Sequence, residues 1–111
     1  MSKRSSVLLI ADIKEALDKI SDYKSGLSKE AFHNDHKTID AVVRNLEIIG
    51  EAANRLPADF KTNHSAIEWE KIIGLRHRII HEYFGIDLGI IWHILENDLP
   101  SLRTQIGQIK S

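Results

Sequence analysis

The stretch "RHRIIHEY", residues 76–83, holds the side chains of this chain that are best suited to chemistry. Arg76 and His77 begin it, His81 lies four residues after His77, and Tyr83 ends it. Histidine has an unperturbed pKa of about 6.5 and can accept a proton near neutrality. Arginine donates two parallel charge-assisted hydrogen bonds to a phosphate. Together they could cut RNA without a metal, the base deprotonating a ribose 2′-hydroxyl and the cation stabilising charge on the phosphate.

The same histidines allow two other interpretations. His77 and His81 have the i, i+4 spacing of a metal pair, which would suit a metal-binding four-helix protein. However, the sequence contains no HExxH pattern and no cysteine, so we expect no metal site and no cofactor. A histidine on the flank of a helix is also often an ordinary surface residue.

Composition limits the classes of protein that this chain could be. Its 111 residues predict one domain, spanning residues 1–111. Fifteen Lys and Arg against sixteen Asp and Glu give a net charge of −1, so any contact with RNA must come from a local patch. No apolar run reaches the length of a membrane span, and the N-terminus lacks a signal-peptide pattern. We therefore expect a cytoplasmic protein.

The hydrophobic periodicity is helical nearly throughout, which predicts an all-α fold built as an up-and-down bundle of four to five helices. The first three expected helices cover residues 4–22, a short segment capped by Ser28, and residues 35–56, where Pro57 stops the helix. The next covers residues 65–84, with Ser65 and Glu68 as a capping box and Gly85 as a left-handed residue after its end. The last helix is capped by Asp87 and is kinked or restarted at Pro100.

The long helix predicted for residues 35–56 has apolar stripes on two sides, so it is either central in the bundle or shared with another subunit. Ala41, Ile48 and Ala52 form the second stripe. A polar line separates the two stripes and consists of Asp40, Arg44, Glu47, Glu51 and Asn54. This line is either a solvated face of helix-stabilising ion pairs or a functional surface.

A helical wheel of residues 69–84 places Arg76 in the middle of an apolar face. The surrounding residues are Trp69, Ile72, Ile73, Ile79, Ile80 and Tyr83. An unpaired buried cation costs several kcal/mol. Arg76 must therefore either form a buried ion pair with Glu47 or Glu51, or line a cleft where its guanidinium binds an anion.

Arg76, four residues, His81, one residue and Tyr83 form an R-x-x-x-x-H-x-Y motif. It resembles the motif of HepT-type toxins in the HEPN superfamily of all-helical ribonucleases. "KTIDAVVRNLEIIGEAANRLP" and "GIDLGIIWHILENDLPSLRTQI" are similar to the second and last helices of that family, so the resemblance covers nearly the whole chain. A polar residue usually follows the motif arginine there, and His77 is a compatible variant.

The resemblance implies a HEPN-like homodimer whose two motif helices face each other across a cleft. It implies a metal-independent endoribonuclease, the toxin of a type VII-like toxin–antitoxin pair, with Arg76 and His81 as catalytic residues and RNA as substrate. It also implies a minimal nucleotidyltransferase antitoxin as partner, which transfers AMP to Tyr83 and silences the toxin. Residues that could support the site or bind RNA are His77, Arg78, Arg44, Glu47 and Glu51, with Arg55 and Lys71 as further candidate contacts to the RNA backbone.

One alternative function and one geometric question remain open. The alternative is a non-catalytic helical dimer that binds a nucleotide or a partner nucleotidyltransferase. The question is that Arg76 and His81 lie about 140° apart on an ideal helix. They converge within one protomer only if the helix end unwinds toward Gly85, whereas a two-fold dimer would let each site combine groups from both chains.

Overall fold

The computed structural model of the chain describes residues 4–81 and 85–109, which form a helical fold. In chain order the elements are α1 Ser6–Lys24, α2 Lys29–His33, α3 His36–Arg55, α4 Ala58–Asn63, α5 Trp69–Ile73, α6 Leu75–Ile79, β1 Ile80–His81, β2 Gly85–Ile86, α7 Leu88–His93, a π-helical turn Ile94–Asp98 and α8 Leu99–Gly107. No helix within these residues is long and apolar enough to cross a membrane.

The first three helices confirm the prediction from periodicity, and their caps explain where they begin. The Ser28 hydroxyl accepts a hydrogen bond from the Ala31 amide at 3.1 Å. Asp35 caps α3 by accepting from the amide of Thr38 at 3.0 Å and from its hydroxyl at 2.7 Å. These bonds satisfy amide groups that have no partner within the first turn of a helix. Pro57 ends the long helix as predicted, but it also starts α4, which the sequence did not indicate.

The predicted continuous helix from Ser65 to Phe84 is wrong. Helix α5 begins after Glu68, whose side chain makes no capping hydrogen bond. Ser65 lies three residues before Glu68 and therefore does not cap this helix. Residues up to Ile67 are held in a turn, in which the Ile67 amide donates to the His64 carbonyl at 3.1 Å. Gly74 then separates α5 from α6, and α6 ends at Ile79.

After α6 the backbone forms a small antiparallel pair. Ile80 pairs with Ile86 and His81 with Gly85, and the Asp87 amide donates to the Ile79 carbonyl at 2.9 Å. Gly85 is therefore a strand residue. The prediction that Gly85 directly follows a helix end is wrong, because α6 ends at Ile79. Gly26, which follows α1, has a φ of 78°.

The last helical region agrees with its predicted caps. Asp87 accepts from the Ile90 amide at 3.0 Å and so caps α7. Pro100 lies in the first turn of α8, where its missing N–H breaks no helical bond. The π-helical turn before it holds one more residue per turn than an α-helix, so the helical register shifts without a break.

The core lies between α1, α3 and the final helices, and α3 is central. The most deeply buried large side chains are Phe32, Leu9, Ile10, Ile13, Leu46, Ile49, Ile79, Ile91, Ile94, Ile106 and Val42. The second apolar stripe of α3 is divided, because Ala52 is buried whereas Ala41 and Ile48 are half-buried. Ile48 thus leaves apolar surface beside the site described next.

Candidate functional site

A cleft of about 370 Å³ lies where α1, α3 and α6 meet. Its lining combines an apolar floor with seven charged side chains, and consists of Arg4, Leu9, Asp12, Arg44, Glu47, Ile48, Glu51, Ala52, Arg55 and Arg76. Much of the polar line predicted on α3 therefore faces the motif arginine across this cleft. Four guanidinium groups against three carboxylates give the cleft a positive balance in a chain with a net charge of −1.

Arg76 is exposed, which corrects its predicted position in the middle of a buried face. The wheel assumed one continuous helix, but the break at Gly74 separates Arg76 from Trp69–Ile73. Within α6 the buried residues are Leu75 and Ile79, one turn apart. Arg76 follows Leu75 and so projects from the flank of α6 into the cleft.

The ion pairs of the cleft leave two of its arginines without a carboxylate. Arg4 binds Asp12 through two hydrogen bonds of 2.7 and 2.9 Å. Arg55 binds Glu51 at 3.1 Å. Arg76 forms no hydrogen bond or ion pair with any residue that the structure describes, and the same holds for Arg44. The predicted alternative of a buried pair between Arg76 and Glu47 or Glu51 is therefore wrong.

His77 and the motif histidine His81 lie on different elements. His77 is on α6 and is exposed. His81 is on β1, beyond the end of the helix, and its backbone pairs with Gly85. The unwinding that would release His81 from its ideal-helix position opposite Arg76 is therefore present. Tyr83, the predicted AMP acceptor, lies outside the described residues.

Arg78 lies on the other flank of α6 and lines a separate concavity of about 280 Å³. Its guanidinium binds the Asp98 carboxylate at 3.0 Å, and Lys71 binds the same carboxylate at 3.2 Å. Burial raises the pKa of Asp98, but the hydrogen bonds and charges of Lys71 and Arg78 lower it by more. The pKa of Asp98 consequently lies below its ordinary value.

The sequence did not reveal several residues of this architecture. Arg4, just before α1, and Asp12 of α1 reach the cleft, and no local pattern near the motif signals this contact. Asp98 precedes "LP" and resembles a helix cap, although its carboxylate crosses to α5 and α6 instead. No group of three His, Cys, Asp or Glu residues in ranges 4–81 and 85–109 is arranged to hold a metal ion.

Comparison with known proteins assigns the chain to a family. The family described as "Ribonuclease HepT-like" matches residues 13–109. A protein of Thermococcus cleftensis named "Probable ribonuclease HepT" is 39% identical over 108 residues, covering 97% of this chain and 98% of that protein. "Putative RNase MJ0127" of Methanocaldococcus jannaschii is 38% identical over 109 residues, covering 98% and 90%. "Putative RNase TTE0752" of Caldanaerobacter subterraneus is 44% identical over 84 residues, covering 76% and 75%.

No solved structure matches the chain. The family match covers most of its length, including the cleft residues of α3 and the motif of α6 and β1. The chain belongs to the ribonuclease HepT-like family. This confirms the resemblance that the R-x-x-x-x-H-x-Y motif indicated.

Proposed function

We propose that this chain is a metal-independent endoribonuclease and the toxin of a type VII-like toxin–antitoxin pair. The observation that carries the proposal is the exposed Arg76 guanidinium, which lies in a concave, positively balanced cleft without a carboxylate partner among the described residues. An arginine in that state is available to bind phosphate in bidentate fashion. The ribonuclease names of the relatives supply the substrate class, which is RNA.

In the proposed reaction, His81 takes the proton of a ribose 2′-hydroxyl, and the 2′-oxygen attacks the adjacent phosphorus. The bond to the 5′-oxygen of the next nucleotide breaks, that oxygen takes a proton from water, and His81 gives its proton to the hydroxide that remains. Arg76 stabilises the negative charge that develops on the phosphoryl oxygens. The products are a 2′,3′-cyclic phosphate and a 5′-hydroxyl, and the reaction needs no metal ion or other cofactor.

The remaining cleft residues support this role. Arg44 is exposed on α3 and, like Arg76, unpaired within the described part of the chain, so it suits contact with a neighbouring phosphate. Glu47 and Glu51 line the same cleft as the arginines and keep its positive charge moderate. His77 is exposed beside Arg76 and is proposed to contact the RNA rather than to transfer the proton.

The proposed active form is a homodimer. Val7 and Leu8 near the start of α1 are 53% and 46% exposed, unusually high for large apolar residues. Their neighbour Leu9 and the half-buried Ile48 line the cleft, so the exposed apolar surface borders it. A second protomer covering this surface would bring two clefts together around a two-fold axis.

The proposed control of the toxin is AMP transfer to Tyr83 by a minimal nucleotidyltransferase antitoxin. Tyr83 follows Arg76 by seven residues in the sequence. A phenol that carries AMP would add bulk and negative charge to the motif that is proposed to bind the RNA phosphate. Modified protein would then repel the RNA backbone that Arg76 binds.

Expression of the chain alone in a bacterial host tests this proposal. The wild type should arrest growth and fragment total RNA, whereas Arg76→Ala and His81→Ala should do neither. Arg103→Ala is the matched control, because Arg103 is an exposed arginine that binds Asp18 away from the cleft. Normal growth and intact RNA with abundant wild-type protein would overturn the ribonuclease proposal and favour the non-catalytic binding dimer.

A further inference from the structure

Asp98 holds together the two short helices that carry and precede the motif arginine. Its Oδ1 atom accepts a hydrogen bond from Lys71 of α5 at 3.2 Å, and its Oδ2 atom accepts one from Arg78 of α6 at 3.0 Å. The Asp98 side chain is only 20% exposed, less than either cation. One carboxylate thus bridges both helices across the break at Gly74.

Short helices such as α6 need tertiary contacts to fix their orientation, because five residues do not form a stable helix alone. The buried contacts of α6 are made by Leu75 and Ile79, both on one face. Because these two side chains lie along one line of the helix, a bond to one side of that line resists rotation of α6 about its own axis. The Arg78–Asp98 bond lies to one side of that line and restricts the rotation.

Arg76 and Arg78 project from opposite flanks of α6, about 160° apart on an ideal helix. Arg78 lies on the side of Asp98, and Arg76 lies on the side of the cleft. Rotation of α6 that releases Arg78 would therefore also swing the Arg76 guanidinium relative to α3. The π-helical turn Ile94–Asp98 aids this arrangement, because its extra residue shifts the direction in which Asp98 points.

From this geometry we infer that Asp98 is a positioning residue of the nuclease site, acting through Arg78 to hold Arg76 toward the RNA phosphate. The inference rests on the proposed function, in which Arg76 binds that phosphate. It also gives Arg78 and Lys71 a different use from the predicted contact with the RNA backbone. In this account their positive charges are directed to Asp98.

The two roles of Arg78 and Lys71 predict opposite changes in RNA affinity when the charge of Asp98 is removed. If Arg78 and Lys71 bound RNA directly, Asp98→Asn would free two cations and tighten binding. If Asp98 positions Arg76, the same substitution weakens binding, and it does so only while Arg76 is present. A double-mutant cycle separates these cases.

The probe is a 2′-O-methyl RNA, which has no 2′-hydroxyl and cannot be cleaved by the proposed reaction. Its Kd is measured at several salt concentrations for wild type, Asp98→Asn, Arg76→Ala and the double variant. We expect Asp98→Asn to weaken binding about tenfold in the wild-type background. In the Arg76→Ala background it should weaken binding less than about twofold, because the contact between Arg76 and the phosphate is already absent. The slope of log Kd against the logarithm of the salt concentration should fall in both single variants, by the amount expected for the loss of about one phosphate contact.

Two further variants keep the result interpretable. Asp18→Asn breaks the exposed Arg103–Asp18 pair and should leave the Kd unchanged. Arg78→Gln, which leaves Asp98 bound to Lys71, should weaken binding in the same Arg76-dependent way even if Asp98→Asn folds poorly.

Tighter or unchanged binding by Asp98→Asn, or equal weakening in both backgrounds, would overturn the inference and leave the proposed function standing. Unchanged binding by Arg76→Ala would remove the proposed function itself.

Discussion

Gly50 of α3 lies directly against the end of α5. A Cβ atom at position 50 would be 3.3 Å from the carbonyl oxygen of Ile72 and 3.6 Å from that of Ile73. The first distance is tighter than ordinary van der Waals contact, and backbone cannot yield as a flexible side chain can. The glycine therefore sets how closely α5, and the motif helix that follows it, approach the cleft residues of α3.

Gly50→Ala should push α5 away from α3 and widen the cleft beside Arg76. A steric cost of about 2 kcal/mol, set against a helix-propensity gain of about 1 kcal/mol, should lower the free energy of unfolding by about 1 kcal/mol. RNA cleavage should fall about tenfold, because a shift of α5 by a few tenths of an ångström would displace α6 and Arg76, and catalysis is sensitive to such displacements. Denaturant unfolding and a cleavage assay measure the two effects.

Gly107→Ala is the matched control, because a Cβ there has no atom within 4 Å. It should keep wild-type cleavage. Equal loss of cleavage by both variants would show that the contact of Gly50 with α5 is not what matters.

The Asp98 cluster predicts a pH dependence of stability. The pKa of Asp98 is lower in the folded state than in the unfolded state, where it is about 4. The Asp98 carboxylate therefore stabilises the fold above the unfolded pKa, and this stabilisation is lost as the pH falls through the folded pKa. The wild type should exceed Asp98→Asn by about 1 kcal/mol in unfolding free energy near pH 7. The difference should shrink below about pH 4, as urea titrations at several pH values would show. A difference that grows on acidification would contradict the assigned pairing.

Tyr83→Phe tests the proposed switch. Wild-type protein incubated with the nucleotidyltransferase partner and ATP should gain the mass of AMP and lose cleavage activity. Tyr83→Phe should gain no mass and stay active, because it lacks the phenolic oxygen. The control is Tyr23→Phe, which removes a 38% exposed tyrosine of α1 and should be modified like wild type. Equal labelling of wild type and Tyr83→Phe would place the acceptor elsewhere.

Leu8→Asp tests the proposed dimer. The side chain is 46% exposed, so a charge there should leave the folded protomer intact while opposing burial by a second copy. Sedimentation should then give a monomer with wild-type helix content and reduced cleavage. Tyr23→Asp, at the other end of α1, should remain dimeric. A monomeric wild type that cleaves RNA at full rate would contradict the shared-cleft account.

The sequence predicted the parts of the fold that depend on local signals. Periodicity placed α1 and α3, and the predicted cap Ser28 placed α2, since its hydroxyl binds an amide within the first turn of that helix. The prediction of one long motif helix was wrong because tertiary contacts, rather than a local sequence signal, interrupt the helix. Trp69 donates its indole hydrogen to the carbonyls of Lys61 and His64, both at 3.1 Å, and this ties the preceding turn to α5.

The site was predicted in its residue types but not in its geometry. The motif identified Arg76, and the polar line of α3 proved to face it. Exposure of Arg76 could not be read from the wheel, because the break at Gly74 changes which flank is buried. Asp98 is 20 residues from its partner Arg78 along the chain, so no local spacing relates them.

Cleavage of RNA by Arg76 and His81 without a metal ion can be measured on purified protein. A 5′-labelled RNA is incubated in EDTA with wild type, Arg76→Ala, His81→Ala and the control Arg103→Ala, and the product ends are analysed. We expect fragments with 2′,3′-cyclic phosphate and 5′-hydroxyl ends from wild type and control. The two motif variants should lose at least about 100-fold in cleavage rate. Undiminished cleavage by either motif variant, or cleavage that requires an added divalent metal, would contradict the proposed mechanism.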